Sequence, residues 1–242
     1  MPQTKHSTMK SNGFRWTDAD AYLFDIDGTL LIARGLVHYH ALNRAMRDVY
    51  GVDTTIDGIA YHGKTDLGIL RAALQRVGVS GTEFEEKLPQ ALDVVCGDVS
   101  ANCQRMTTDV CLGIPDVLAH LKAAGKLLGV ASGNLEAVGW RKIGIAGLQD
   151  FFAFGSFADH HEERADIFQR GVEEVKRRLG ENATVCFIGD TPEDIRAARQ
   201  VNAKIISVCT GIYKSEELSG LQPDFCVSSC GELLAQSSTL SR

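Results

Sequence analysis

A short apolar run, Tyr22-Leu23-Phe24, stops abruptly at two carboxylates, a glycine and a threonine: Asp25-Ile26-Asp27-Gly28-Thr29. A run this brief, partly aromatic and bounded by polar residues, predicts a buried strand. The carboxylates then stand at the strand's carboxyl end, the edge where open α/β sheets bind ligands. Asp25 and Asp27 are two apart, so an ideal strand sets them on one face. Like charges that close favour protonation of one unless a cation or a hydrogen-bond network compensates. Gly28 permits a sharp turn and close approach to a ligand. Thr29 adds a hydroxyl for an anion or a carboxylate. By itself the segment also fits an ordinary loop after a strand, so the residues downstream decide its meaning.

Downstream of about residue 110, strands alternate with helices. Leu127 to Ala131, Thr184 to Ile188 and Lys204 to Val208 read as strands, with shorter ones within Phe151–Phe157 and at Phe225–Val227. Helices are expected from Ile114 to Ala124, from Leu135 to Ile143, and from Pro192 to Val201. A long one places Phe168, Val172, Val175 and Leu179 on one face. This rhythm predicts an α/β fold with a doubly wound parallel sheet. Leu31 to about Asp109 is different: helical and strand-poor. Val37, Ala41, Leu42, Ala45, Met46 and Val49 follow helical spacing, as do Leu67, Leu70, Leu74 and Val77, then Phe84, Leu88, Leu92 and Val95. Gly51 and Gly78 look like helix stops. The expected organisation is a core of residues 18–31 and 109–242, a helical lobe of residues 32–108 over the sheet's carboxyl edge, and a polar, mobile extension over residues 1–17.

Composition narrows the partners. The formal net charge of −6 over 242 residues gives no support for nucleic acid or an anionic membrane surface. No apolar stretch approaches the length of a membrane span, and Met1 to Trp16 lacks the apolar core of a secretory signal. The seven cysteines are odd in number and match no common zinc spacing, so buried thiols in a reducing cytoplasm are expected. Monomer and dimer both stay open.

Three later segments carry polar clusters at strand ends or helix starts. Ser132-Gly133-Asn134 offers a hydroxyl and backbone amides suited to an anion, or else Ser132 is a plain helix cap. Arg164 could neutralise an anion near the sheet edge, or be a solvated helix charge. The adjacent His160 and His161 point apart on most backbones, which disfavours a shared metal. Asp190 stands where a strand meets a helix opened by Pro192. Thr191 and Asp194 form a local cap pattern, so Asp194 alone has a purely structural explanation.

Together, Asp25 and Asp27, Ser132, Arg164, and Asp190 with Asp194 resemble the ordered motifs of the haloacid dehalogenase superfamily: Asp-x-Asp-x-Thr, Ser or Thr, Lys or Arg, then Gly-Asp-x-x-x-Asp. The helical insertion after the first motif resembles the cap of its phosphoglycolate phosphatase-like branch. That branch often has Lys followed by Pro at the third motif, whereas Arg164 here is followed by Ala165. The resemblance implies a Mg²⁺-dependent phosphatase acting on a small phosphorylated metabolite. Asp25 would be the nucleophile and Asp27 the general acid and base. Asp25, the backbone carbonyl of Asp27, Asp190 and Asp194 would hold Mg²⁺, and Ser132, Gly133, Asn134 and Arg164 the phosphate. His62-Gly63-Lys64-Thr65-Asp66 resembles the branch's Gly-x-x-Asp substrate loop, with Gly63 and Lys64 as the cap's substrate contacts. The alternative there is a helix start capped by Thr65, with Lys64 solvated. A phosphomutase of the β-phosphoglucomutase type is the nearest other activity, and a non-catalytic binding protein on the same fold is the other class.

Overall fold

The computed structural model describes residues 13–239. Its hub is β1 (Ala21–Phe24). Strands β4 (Leu127–Ala131) and β6 (Val185–Gly189) flank it, both parallel to it. Beyond β4 lies β5 (Phe154–Ser156), and beyond β6 lie β7 (Lys204–Val208) and β8 (Phe225–Val227), giving the order β5-β4-β1-β6-β7-β8 with every pair parallel. The chain leaves β1 first toward one edge of the sheet and later toward the other. The carboxyl ends of β1, β4 and β6 therefore surround a topological switch point, where such sheets bind ligands.

Helices cover both faces, which is why Tyr22 to Phe24 is apolar without alternation. Tyr22 and Phe24 pack with Val117, Leu118 and Leu121 of α4 (Ile114–Ala123) and Leu233 of α9 (Gly231–Thr239). Leu23 packs with Ile167, Phe168 and Val172 of α6 (Arg164–Leu179) and Ile195 of α7 (Pro192–Gln200), near α8 (Ser215–Gly220). The Phe168 ring stacks on Phe187 with centroids 3.8 Å apart. The remaining core helix is α5 (Glu136–Ile145).

The insertion departs from expectation at its ends. Two short strands, β2 (Leu31–Arg34) and β3 (Thr107–Val110), pair antiparallel, with Leu31 opposite Val110. β3 is mostly exposed and β2 buries only Leu31 fully, so neither four-residue segment shows a clear strand alternation. Between them run α1 (Val37–Tyr50), α2 (Asp66–Arg76) and α3 (Gly81–Asn102). Their own apolar core joins Leu42, Met46, Leu70, Leu74, Phe84 and Val95, and extends to Leu135 and Val138 beside the sheet. Val77, placed on the helical face by its spacing, instead lies just past α2 and is exposed.

Most of the expected mobile extension lies outside the described residues, but its end does not behave as one. Trp16 is buried in the sheet's core, its carbonyl accepts the Tyr22 hydroxyl at 2.7 Å, and the Phe14 ring packs against Phe225. None of the seven cysteines is paired in a disulfide. Cys111, Cys186 and Cys230 are buried, and the other four only half-buried. Among the described residues no helix is long and apolar enough to cross a membrane. Trp16→Ala removes a large buried ring and is expected to lower the unfolding free energy by about 3 kcal/mol. Urea denaturation would read this as a lower midpoint with an unchanged slope.

Candidate active site

Asp25 continues the ladder of β1: its N–H donates to the Ile188 carbonyl at 2.9 Å, and its side chain is buried. Gly28 then turns the chain at φ +88°. A Cβ there would fall 2.3 Å from Asp190 Oδ2, and one on Gly211 would fall 1.8 Å from the same oxygen. Both positions must lack a side chain for Asp190 to sit where it does. The Thr29 hydroxyl donates to Asp190 Oδ1 at 2.9 Å, and Thr210 Oγ1 donates to the Gly28 carbonyl at 2.5 Å. Thr29 was visible in the sequence; Thr210 and Gly211, in the loop after β7, were not.

One carboxylate oxygen from each of Asp25, Asp190 and Asp194 lies within 4.8 Å of the others, and all three residues are buried. Arg164, the first residue of α6 and itself buried, enters this cluster. Its Nη2 lies 2.7 Å from Asp25 Oδ2, its Nε 2.7 Å from Asp194 Oδ1, and its Nη1 donates to the Gly63 carbonyl at 3.0 Å. It is no solvated helix charge. Burial opposes its ionisation, but Asp194, Asp25 and Asp190 outweigh that and hold it protonated. For the acids one cation is not enough. Burial, with repulsion from Asp194 and Asp27, pushes the Asp25 carboxyl up to about 6 against the pull of Arg164. Burial and repulsion from Asp25 and Asp194 push Asp190 well above its ordinary value. Three buried carboxylates around one guanidinium form an all-oxygen set with charge to spare, which fits a hard divalent cation.

Asp194 settles its two readings by splitting its oxygens. Oδ2 accepts from the Thr191 N–H at 2.9 Å and the Thr191 hydroxyl at 2.7 Å, completing a capping box on α7. Oδ1 faces Arg164 in ion-pair contact but without an aligned hydrogen bond. The cap and the site use the same residue.

Ser132 and Asn134 are buried at the end of β4, and the Asn134 N–H lies 3.4 Å from Ser132 Oγ. Ser132 is not the helix cap considered above. Helix α5 starts at Glu136, and its cap residue is Leu135, which has no side-chain acceptor. Asp66 supplies one instead, taking the Leu135 N–H at 2.8 Å. The Asp66 N–H in turn donates to the Gly133 carbonyl at 2.7 Å. The loop from His62 to Asp66 thus lies directly on the β4 end. A Cβ on Gly133 would fall 2.6 Å from the Lys64 carbonyl. Thr65 caps α2 and also donates to the Glu162 carbonyl at 2.7 Å. The Lys64 side chain is exposed; its backbone meets the site. His160 is exposed, and neither it nor His161 belongs to the acidic cluster.

Asp27 points elsewhere. Lys142 of α5, buried at 3% exposure, places Nζ 2.6 Å from Asp27 Oδ2. Loss of water on the packed side of the Asp27 carboxyl pushes it up, but Lys142, with His38 and the Asn134 side chain behind it, outweighs this and holds it below its ordinary value. His38 Nε2 also lies 3.1 Å from Asp66 Oδ2. Sequence reasoning missed both Lys142 and His38. The available signal was Lys142 falling four residues after Val138, on the face that α5 buries.

The chain is similar to known proteins in sequence and in fold. The family model for haloacid dehalogenase-like hydrolases matches residues 19–202. A probable phosphatase, IndB, from Dickeya dadantii is 24% identical over 229 residues, covering 90% of this chain and 93% of that one. A phosphoglycolate phosphatase from Synechococcus elongatus is 27% identical over 227 residues, covering 92% and 99%. The crystal structure of CbbY from Rhodobacter sphaeroides in complex with phosphate superposes with a TM-score of 0.66 at 19% identity, covering 89% and 96%.

The acidic cluster makes a stability prediction for metal-free protein. Asp25 titrates near 6 when folded, against an ordinary 3.8. The folded state therefore holds this proton more tightly, and its contribution to stability is lost as pH rises through about 6. Asp25→Asn is expected to flatten the pH dependence of unfolding between about pH 4 and 6, the interval between the ordinary and the folded value. It should also raise metal-free stability at about pH 7.5 by about 1–3 kcal/mol. Thermal unfolding in EDTA across that range, wild type against variant, checks both.

Proposed function

The chain belongs to the haloacid dehalogenase-like hydrolase family, and on that premise we propose that it is a Mg²⁺-dependent phosphatase cleaving a small phosphorylated metabolite through an aspartyl-phosphate. The observation that carries this reading is the placement of Asp25. It lies at the carboxyl end of the central strand, against Arg164, Asp190 and Asp194, with Asp27 two residues on and paired separately.

On this reading Asp25 Oδ attacks phosphorus, and the bond from phosphorus to the ester oxygen breaks. Asp27 gives its proton to the departing oxygen. It then takes a proton from the water that attacks the phosphorus of the aspartyl-phosphate, freeing Asp25 and inorganic phosphate. Ser132, the amides of Gly133 and Asn134, and Arg164 hold the phosphate oxygens. Asp25, Asp190, Asp194 and the backbone carbonyl of Asp27 would hold Mg²⁺, which when bound neutralises phosphate charge.

Residues 32–108 act as the cap over a core of residues 18–31 and 109–242. The loop from His62 to Asp66, with Gly63 and Lys64 at its turn, closes against Gly133. Opening of this loop admits substrate, and its closure keeps bulk water out. The phosphoglycolate phosphatases among the relatives are named for one such small ester, and we place the substrate in that size class.

Phosphate release from a panel of small phosphorylated metabolites, with Mg²⁺ and with EDTA, tests the proposal. Release is expected to require Mg²⁺ and to fall at least about a thousand-fold in Asp25→Asn. No release from any member, with Mg²⁺ still bound, would sink the phosphatase reading. Isomerised product without free phosphate would identify a phosphomutase instead.

A further inference from the structure

The Lys142–Asp27 pair is lopsided. The lysine is buried, whereas the Asp27 side chain keeps 41% of its surface exposed. The carboxylate is held by Lys142 from α5. Its open side faces solvent at the sheet's carboxyl edge. Lys142 reaches it from the face of α5 that also buries Val138 and Ile143, across 115 residues of sequence.

Such a pair does little for folding. Taking an ammonium out of water costs several kcal/mol, and apolar residues of similar size stabilise a fold as well or better. What a buried cation does well is fix the rotamer of the carboxylate it holds. Arg164 does not do this for Asp27, because its nitrogens are taken up by Asp25, Asp194 and the Gly63 carbonyl.

We infer that Lys142 is a positioning residue: it pins the Asp27 carboxylate so that the open oxygen faces the leaving-group oxygen of the substrate. It touches no reacting atom and acts through Asp27. The inference rests on the acid–base reading of Asp27 given above. Misplacing a catalytic group by about 1 Å costs on the order of 100-fold in rate. That loss is confined to reactions that need the proton.

The test is kcat/KM for an alkyl monophosphate and for 4-nitrophenyl phosphate, whose phenolate departs without a proton. Lys142→Met is expected to lower kcat/KM for the alkyl ester on the order of 100-fold and for the aryl ester only slightly. Lys142→Arg should restore part of the difference. Asp27→Asn should show the same leaving-group pattern, and adding Lys142→Met to it should cost little more. Equal losses for both esters, or losses that add in the double variant, would overturn the role of Lys142 alone. An Asp27→Asn variant blind to the leaving group would remove the acid–base reading and Lys142's role with it. A crystal structure of Lys142→Met supplies a readout independent of activity. Displacement of the Asp27 carboxylate is expected, and a carboxylate left in its wild-type place overturns the proposal.

Discussion

One guanidinium among three buried carboxylates is the contact on which the rest of this molecule depends. Arg164 opens α6, where a helix's unpaired amides and dipole disfavour a cation, so the helix gains nothing from it. The site does. Without Arg164, Asp25, Asp190 and Asp194 would crowd their charges in a dry space, and protonation or unfolding would relieve them. Even with it, Asp25 and Asp190 are held above their ordinary range. The backbone yields to the same demand. Gly28 and Gly211 give up side chains beside Asp190, and Gly189 gives one up beside Asp194, where a Cβ would fall 2.3 Å from Cγ.

The same guanidinium ties the helical insertion to the sheet, because its third contact is the Gly63 carbonyl. Asp66 strengthens the tie from the other side. It gives its N–H to Gly133, takes the Leu135 N–H, and meets His38 of α1. Helix α5 of the sheet layer thus borrows one N-terminal acceptor from the insertion, while Asp159 takes the Glu136 N–H at 2.8 Å. A hydrogen bond of this kind contributes about 1 kcal/mol net, and water can replace each one in an open state. These contacts join the insertion to the ends of the strands that carry the acidic cluster.

The parts legible in sequence are those whose cause is local. Asp25, Ser132 and Asp190 each stand where an apolar strand gives way to polar residues, and strand ends are readable from a few neighbours. Asp194 was readable as a cap for the same reason, and the cap is there; its second oxygen needed the fold. What stayed hidden is non-local. The β2–β3 pairing joins residues more than seventy apart. The acceptors at the start of α5 are Asp66, 69 residues from Leu135, and Asp159, so a local reading could offer only Ser132 for that job. Lys142 shows in the sequence only as a charge on an apolar helix face. Nothing nearby names Asp27 as its partner.

The two motif carboxylates, two residues apart, are driven in opposite directions by their surroundings. Asp25 is pushed up by burial and by acids on its own side; Asp27 is held down by Lys142. Opposed shifts of this kind mark paired acid–base roles, but here their sense is the reverse of what the proposed chemistry requires. An attacking Asp25 must be ionised and a donating Asp27 protonated. Charge supplied from outside the chain corrects both at once. A cation among Asp25, Asp190 and Asp194 favours the ionised nucleophile, and an anionic ester beside Asp27 favours its protonated form. On that reading the protein's own charges keep the site in the wrong protonation state until both are present.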